Sequence, residues 1–228
     1  MINNEVTTQY NNFHTDYSIQ LSEQDEISNA MFHKAIDFEL TDKKLLDIGC
    51  GDGSALKMLS GKGASVYGID PSTEFLKKAE INNPTGIFRQ GVGEALPFEA
   101  NYFDVVVSKW AMQTSPDVPG ILSEAARVLK PGGMFVFLTK HPIQQWLEKI
   151  RDYGHGSNYY SQQIVTSNIY EGTIKLKEPT HTIGEYLNAD FFKNFEVLDY
   201  KEETQFPASE QFNNDIYPTF LLIKARKK

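Results

Sequence analysis

Residues 45–53, LLDIGCGDG, constrain the chain more than any other stretch, because an apolar run ends in an acid and then breaks into alternating glycines. Leu45, Leu46 and Ile48 read as a strand apolar on both faces, the pattern of a parallel sheet covered by helices. Gly49, Gly51 and Gly53 let the backbone turn sharply where any Cβ would obstruct a ligand. The next strand candidate, ASVYGID, ends at Asp70. Its carboxylate then lies at the carboxyl end of an open α/β sheet, where ligands bind and an acid can grip ribose hydroxyls. Two adjacent strand ends therefore present one site.

Helix and strand patterns alternate from about residue 20 onward, which predicts an α/β chain with a parallel sheet between helices. Ile27, Met31, Ala35 and Ile36 recur at helical spacing and predict a first helix. Strand two covers Val66 to Ile69, and Pro71 leads to a helix that Ser72 can cap. A short strand lies near Ile87 and Phe88, and FDVVVS, Phe103 to Ser108, is a fourth buried strand. The helix through Ile121, Leu122, Ala125, Val128 and Leu129 is expected to stop at Pro131, Gly132 and Gly133, with MFVFLTK as strand five. Between His141 and His181 the alternation is lost in a stretch containing Trp146, Tyr153, Gly154, Gly156, Tyr159, Tyr160 and Tyr170, which reads as a lid or binding elaboration. Within it, Ile169 to Leu176, with Glu171 and Gly172 in a turn-like position, predicts a β-ribbon that covers the site or joins two subunits. A helix around Ile183 to Phe192 follows, and FEVLDY and PTFLLIKA most simply pair as an antiparallel edge. With no repeat, low-complexity tract or linker, the expectation is a single domain, 1–228: a helical leader or lid at 1–40, a ligand-binding core at 43–140, an insert at 141–181 that selects the substrate, and a helix with an antiparallel strand pair at 182–228.

The net charge of −8, from 22 basic and 30 acidic residues, has the wrong sign for a protein that neutralises a phosphate backbone, so nucleic acid is not expected as a partner. Cys50 is the single cysteine, which forbids an internal disulfide and a thiolate-cluster metal site. The start, MINNEVTTQYNNF, has neither a basic nor an apolar signal region, and no apolar window is long enough for a membrane. The expectation is a cytoplasmic protein without metal, a monomer or homodimer, acting on a small molecule.

A glycine loop after a strand also serves dinucleotides. Here the spacing is GxGxG, with Ser54 where the dinucleotide fingerprint places its third glycine and Asp47 where such sites need no acid. From Lys43 to Lys140 the chain resembles the class I S-adenosylmethionine-dependent methyltransferases in five ordered motifs: LDIGCGDGS, VYGIDPS, GVGEALPF, FDVVVSKWAMQTSPD and RVLKPGGMFVF. The resemblance implies a Rossmann-like, seven-stranded, mostly parallel sheet with an antiparallel last strand, and S-adenosylmethionine as cofactor with S-adenosylhomocysteine as product. It implies contacts to the methionine part from Asp47, Gly49, Cys50 and Gly51, ribose binding at Asp70 beside Pro71, adenine against Gly93 and Glu94, and Ser108 beside the sulfonium. YNNFHTDY, with Tyr10, Phe13 and Tyr17, resembles the aromatic leader that folds over the cofactor in many relatives.

The chain departs from the family pattern in two places. Val92 stands where relatives commonly carry an acid toward the adenine amino group, which leaves adenine to backbone and apolar packing. After strand four, Trp110, Ala111, Met112, Gln113 and Thr114 replace the paired histidines of many small-molecule relatives, and Gln113 cannot act as a base. The substrate pocket is expected from Trp110, Gln113, Trp146 and Tyr153. His14, His33 and His155 read as surface or hydrogen-bonded residues, whereas His141 after strand five and His181 before the returning helix are the candidate catalytic bases. The function read from these features is methyl transfer to a small-molecule O, N or C nucleophile by in-line displacement. The alternatives are a carboxyl O-methyltransferase acting on a free carboxylate or an acyl-carrier thioester, and a cofactor-binding regulator that transfers nothing.

Overall fold

A computed structural model describes residues 8–12, 26–169, 174–204 and 214–228. A short helix, α1, lies at residues 8–12. The first half alternates as expected: α2 (Glu26–Ala35), β1 (Lys44–Ile48), α3 (Ser54–Gly61), β2 (Ser65–Asp70), α4 (Thr73–Asn82), β3 (Ile87–Gln90), β4 (Phe103–Lys109), a 3-10 turn at Met112–Thr114, and α5 (Val118–Val128). Then come β5 (Leu129–Lys140), α6 (Pro142–Tyr153), β6 (Ile164–Ile169), β7 (Ile174–Pro179), α7 (Ile183–Tyr186), α8 (Ala189–Asn194), β8 (Phe195–Glu203) and β9 (Phe220–Lys227).

Seven strands form one sheet in the order β3-β2-β1-β4-β5-β9-β8. The first five run parallel, and β9 lies antiparallel to both β5 and β8. Neighbouring residues of each central strand enter opposite layers. Leu46, Val106 and Phe137 pack with Ile121 and Leu122 of α5 and Phe191 of α8, while Leu45, Val105, Val107 and Val136 pack with Phe32 of α2 and Leu56 and Leu59 of α3. This two-sided burial is why the strands read as continuous apolar runs.

Local chemistry sets the helix starts. Ser72 accepts from the Phe75 N–H at 3.2 Å and caps α4, Asp117 accepts from the Gly120 N–H at 2.9 Å and caps α5, and Asn188 accepts from the Phe191 N–H at 2.8 Å and caps α8.

Four expectations are corrected. α2 ends at Ala35, turns Phe32 and Ala35 inward and leaves Ile27 about half exposed, at 49%, while the buried Ile36 lies just beyond it. The helix expected to reach the Pro-Gly-Gly turn ends at Val128. Leu129 is already extended and pairs with Phe103, and Gly132, at φ +78°, carries an irregularity inside β5. The returning helix near Ile183 is broken into α7 and α8 at Leu187 and Asn188. Finally, the segment 141–181 is regular: α6 is followed by the antiparallel ribbon β6–β7, in register from Ile164 with Pro179 to Ile169 with Ile174. The turn residues Tyr170, Glu171 and Gly172 lie outside the described residues. The inward face of α6 carries Gln145, Glu148 and Lys149, all buried, in place of an apolar stripe, so the buried face gives no apolar periodicity in the sequence.

Candidate cofactor and substrate site

The carboxyl ends of β1, β2 and β4 open into a cavity of about 400 Å³ lined by Asp47, Gly49, Cys50, Gly51, Asp52, Asp70, Pro71 and Phe75, and also by Tyr10, Asn29, His33, Lys109 and Trp110. A smaller pocket of about 70 Å³ shares Gly49, Pro71, Ala111 and Thr114 with it and continues between Ile48, Ile69, Met112, Ile121, Gly93 and Glu94.

The three loop glycines have three different reasons. A Cβ on Gly49 would meet the Ala111 Cβ at 2.2 Å, and one on Gly53 would meet the Asn83 Nδ2 at 2.7 Å and Ala79 at 3.1 Å. Those two are fixed by packing within the protein. Only at Gly51, φ +52°, would a Cβ meet nothing within 4 Å, because it would point into open space at the cavity wall. Among the three, clearance for a ligand therefore requires glycine at Gly51 alone.

Asp70 organises this loop: its Oδ2 accepts from the Gly51 N–H at 2.9 Å and its Oδ1 from the Ser72 N–H at 2.8 Å. Burial pushes its carboxyl up to about 6, against the pull of those two N–H groups. Each oxygen keeps a further lone pair for ligand hydroxyls. Asp47 is 3% exposed and its Oδ1 has no partner. Burial first, and the neighbouring Asp70 charge second, raise it to about 7, partly opposed by Lys109. A buried acceptor without a donor beside a second carboxylate suits a cationic ligand group.

Most of the cofactor-side residues named from the sequence come together. Asp47, Gly49, Cys50, Gly51, Asp70, Pro71 and Tyr10 line the larger cavity, and Gly93 and Glu94 line the smaller. Ser108 does not: it is fully buried, and its Oγ donates to the Ile48 carbonyl at 2.9 Å within the sheet. Tyr17, like Phe13 and His14, lies outside the described residues. Of the substrate-side residues only Trp110 lines the cavity. Gln113 is buried, donating to the Trp110 carbonyl at 2.8 Å and accepting from Thr139 Oγ1 at 3.0 Å. Trp146 packs edge-on against Tyr159 at 6.3 Å in the insert, and Tyr153 is exposed, donating to the Ile164 carbonyl at 2.7 Å.

Both candidate bases are placed elsewhere too. His141 Nδ1 accepts from the Ile143 N–H at 3.0 Å, which caps α6 and leaves the proton on Nε2, donated to Glu202 at 2.8 Å. Burial lowers its pKa, with Glu202 opposing. His181 Nδ1 meets Glu185 at 2.8 Å and Nε2 meets the Gln113 carbonyl at 3.2 Å. Neither ring offers a free nitrogen to a cavity ligand. The histidine that lines the cavity is His33, with Nδ1 buried and unpartnered and its pKa lowered by burial and then by Lys109. Asn29 stands one helical turn before it. The available signal was this polar i, i+4 pair on a helix that packs against the sheet.

Residues 46–137 match the family described as a methyltransferase domain. Over 107 residues the chain is 40% identical to an uncharacterized methyltransferase of Synechocystis sp., covering 46% of this chain and 50% of that one. Over 113 residues it is 39% identical to a demethylmenaquinone methyltransferase of Lactococcus lactis, covering 46% and 45%. The chain spans about half the length of each of these curated relatives. Its fold is similar to a crystal structure of a putative S-adenosylmethionine-dependent methyltransferase from Listeria monocytogenes, with a TM-score of 0.71 at 23% identity over 87% of this chain and 96% of that one. Residues 46–137 thus match a methyltransferase domain, and the chain shares the fold of this S-adenosylmethionine-dependent methyltransferase, with the sheet order and antiparallel β9 that the sequence resemblance implied.

Proposed function

We propose that the chain transfers the methyl group of S-adenosylmethionine to an O, N or C nucleophile of a small molecule. The observation that carries this reading is the unpartnered, buried Asp47 Oδ1 beside the open approach over Gly51. Asp47 would take the cofactor's ammonium, and Gly49, Cys50 and Gly51 would lie along its amino-acid part. Asp70 would accept from the ribose hydroxyls. Ile48, Ile69, Met112 and Ile121, with the backbone at Gly93 and Glu94, would pack the adenine in the smaller pocket, in place of the acid that Val92 displaces.

When bound, the cofactor supplies a methyl group already activated by its sulfonium. The protein's task is then alignment and exclusion of water, and alignment is worth up to about 7 to 11 kcal/mol in favourable cases. The 3-10 turn at Met112–Thr114 packs against β7, so the insert 141–181 would influence the acceptor's seat through this wall. The net charge of −8 supports a small-molecule acceptor over nucleic acid. No helix among the described residues is long and apolar enough to cross a membrane. We place the protein in the cytoplasm, a placement that its single cysteine supports.

The test is incubation with methyl-labelled cofactor and a metabolite extract. A labelled small product together with S-adenosylhomocysteine is expected. Tight binding of S-adenosylhomocysteine with no labelled product from any extract would overturn the reading in favour of a binding protein.

A further inference from the structure

Among the described residues, Asp47 Oδ1, His33 Nδ1 and Trp110 Nε1 are buried polar atoms without a hydrogen-bond partner, and all three residues line the 400 Å³ cavity. Asp47 offers an acceptor. The indole N–H of Trp110 is a donor only, so it calls for an acceptor on whatever fills the cavity.

The backbone of Trp110 points the same way. Its φ of +56° lies in the left-handed region, which a bulky side chain seldom adopts. Surrounding bonds hold it there: its N–H donates to the Leu138 carbonyl at 2.9 Å, its carbonyl accepts from Gln113 Nε2 at 2.8 Å, and its ring packs edge-on against Phe220 at 5.8 Å. A strained residue over-determined by its neighbours at a cavity wall is a hypothesis of function. Beside it the Lys109 ammonium donates to Asn29 Oδ1, and both residues line the same cavity. The cavity lining therefore holds acceptors, at Asp47, Asp52 and Asp70, and donors, at Trp110 and Lys109.

We infer that these two donors form a carboxylate subsite, in which Trp110 Nε1 and Lys109 Nζ hold the carboxylate of a molecule bound in the cavity. This rests on the methyl-transfer reading, under which the carboxylate has two sources: the amino-acid tail of the cofactor, or an acidic acceptor.

Calorimetry distinguishes them. S-adenosylhomocysteine carries the tail, and methylthioadenosine is a related nucleoside without it. Octanoate and octanol, titrated into protein saturated with S-adenosylhomocysteine, supply an acid and its uncharged counterpart. Trp110→Phe and Lys109→Met are each expected to weaken a carboxylate ligand about tenfold or more while methylthioadenosine stays within about twofold. A loss confined to S-adenosylhomocysteine assigns the cofactor tail, and a loss confined to octanoate assigns the acceptor. Equal losses for S-adenosylhomocysteine and methylthioadenosine, or no loss for any carboxylate, overturn the proposal. If the parent chain binds neither nucleoside, the methyl-transfer reading fails and the proposal falls with it. Should Trp110→Phe not fold, Lys109→Met decides, together with the emission of Trp110. The chain has two tryptophans, so Trp146→Phe leaves Trp110 as the only indole, and its emission should shift with the carboxylate ligand and not with methylthioadenosine.

Discussion

At the glycine loop Asp47 and Asp70 are buried beside each other, and one oxygen of Asp47 faces no donor. In the insert Glu148 and Glu178 are buried as well, but they close on the Lys140 ammonium, which also donates to Ser167; the Lys140–Glu148 contact is 3.2 Å. Burial alone would pull that ammonium's pKa down, and the two carboxylates more than reverse it. Nearby, Lys149 is satisfied by the Asn158 carbonyl at 2.6 Å and by Ser161. The insert's own unpartnered atoms, Gln144 Oε1 and Trp146 Nε1, carry no charge. Buried charge whose partners are all within the chain holds a structure together, whereas buried charge left open marks where something from outside belongs.

The sharpest way to break this contrast is Lys140→Met, which leaves Glu148 and Glu178 facing each other without a cation. Breaking such a pair costs about 3–5 kcal/mol. Denaturant unfolding should show that loss, with S-adenosylhomocysteine affinity within a few-fold wherever the variant is folded; a loss under 1 kcal/mol would make the cluster incidental.

Gly51→Val should act on binding as well as on stability, because a branched side chain at φ +52° strains the backbone, so affinity is read on the folded variant. Its side chain would fill the open approach and is expected to weaken S-adenosylhomocysteine at least about a hundredfold, or about 2.7 kcal/mol. Retained affinity would remove the glycine loop from the site.

Asp47→Asn separates the two kinds of burial by pH. The folded carboxyl titrates near 7, above its ordinary value, so the ligand-free protein takes up a proton on folding between about pH 4 and pH 7. Its contribution to stability is favourable at the acid end and is lost as pH rises through 7. The variant should therefore be more stable than the parent by about 1–3 kcal/mol at pH 8, a gain that vanishes near pH 4, while S-adenosylhomocysteine affinity falls. An equal stability difference at both pH values would contradict the open-acceptor assignment.

The smallest effect is expected at His141→Ala, which removes the α6 cap at a cost of about 1 kcal/mol. Turnover should stay within a few-fold. A hundredfold loss of turnover in a folded variant would restore His141 to the chemistry.

The core was legible because its signals are local. Two-sided apolar strands, a capping Ser72 and an acid at each of two strand ends fix the sheet and the cavity floor without knowledge of the rest of the chain. The cavity's other wall was not legible for the same reason. His33 and Asn29 approach the β1 loop from a helix that precedes it, and nothing around them in sequence marks their aim. His141 and His181 were misread because chain order near a strand end was taken as access to the cavity. Order cannot reveal that an imidazole is already occupied by a helix N–H or by Glu185. The α6 helix is not legible because its buried face is polar and is satisfied by Lys140 of β5, Pro179 of β7 and the loop residues Asn158 and Ser161, which only the fold assembles.

The place of β9 between β5 and β8 has a consequence during synthesis. β8 is made first, yet among the described residues its sheet partner is β9 alone. Until Phe220 to Lys227 have left the ribosome, β5 keeps a bare outer edge and β8 cannot join the sheet. A nascent chain stopped before Phe220 is thus a five-stranded sheet with the long apolar edge of β5 exposed, a form prone to pairing with other chains. Pulse-proteolysis of stalled chains should find protection of the β5 region only once β9 has emerged.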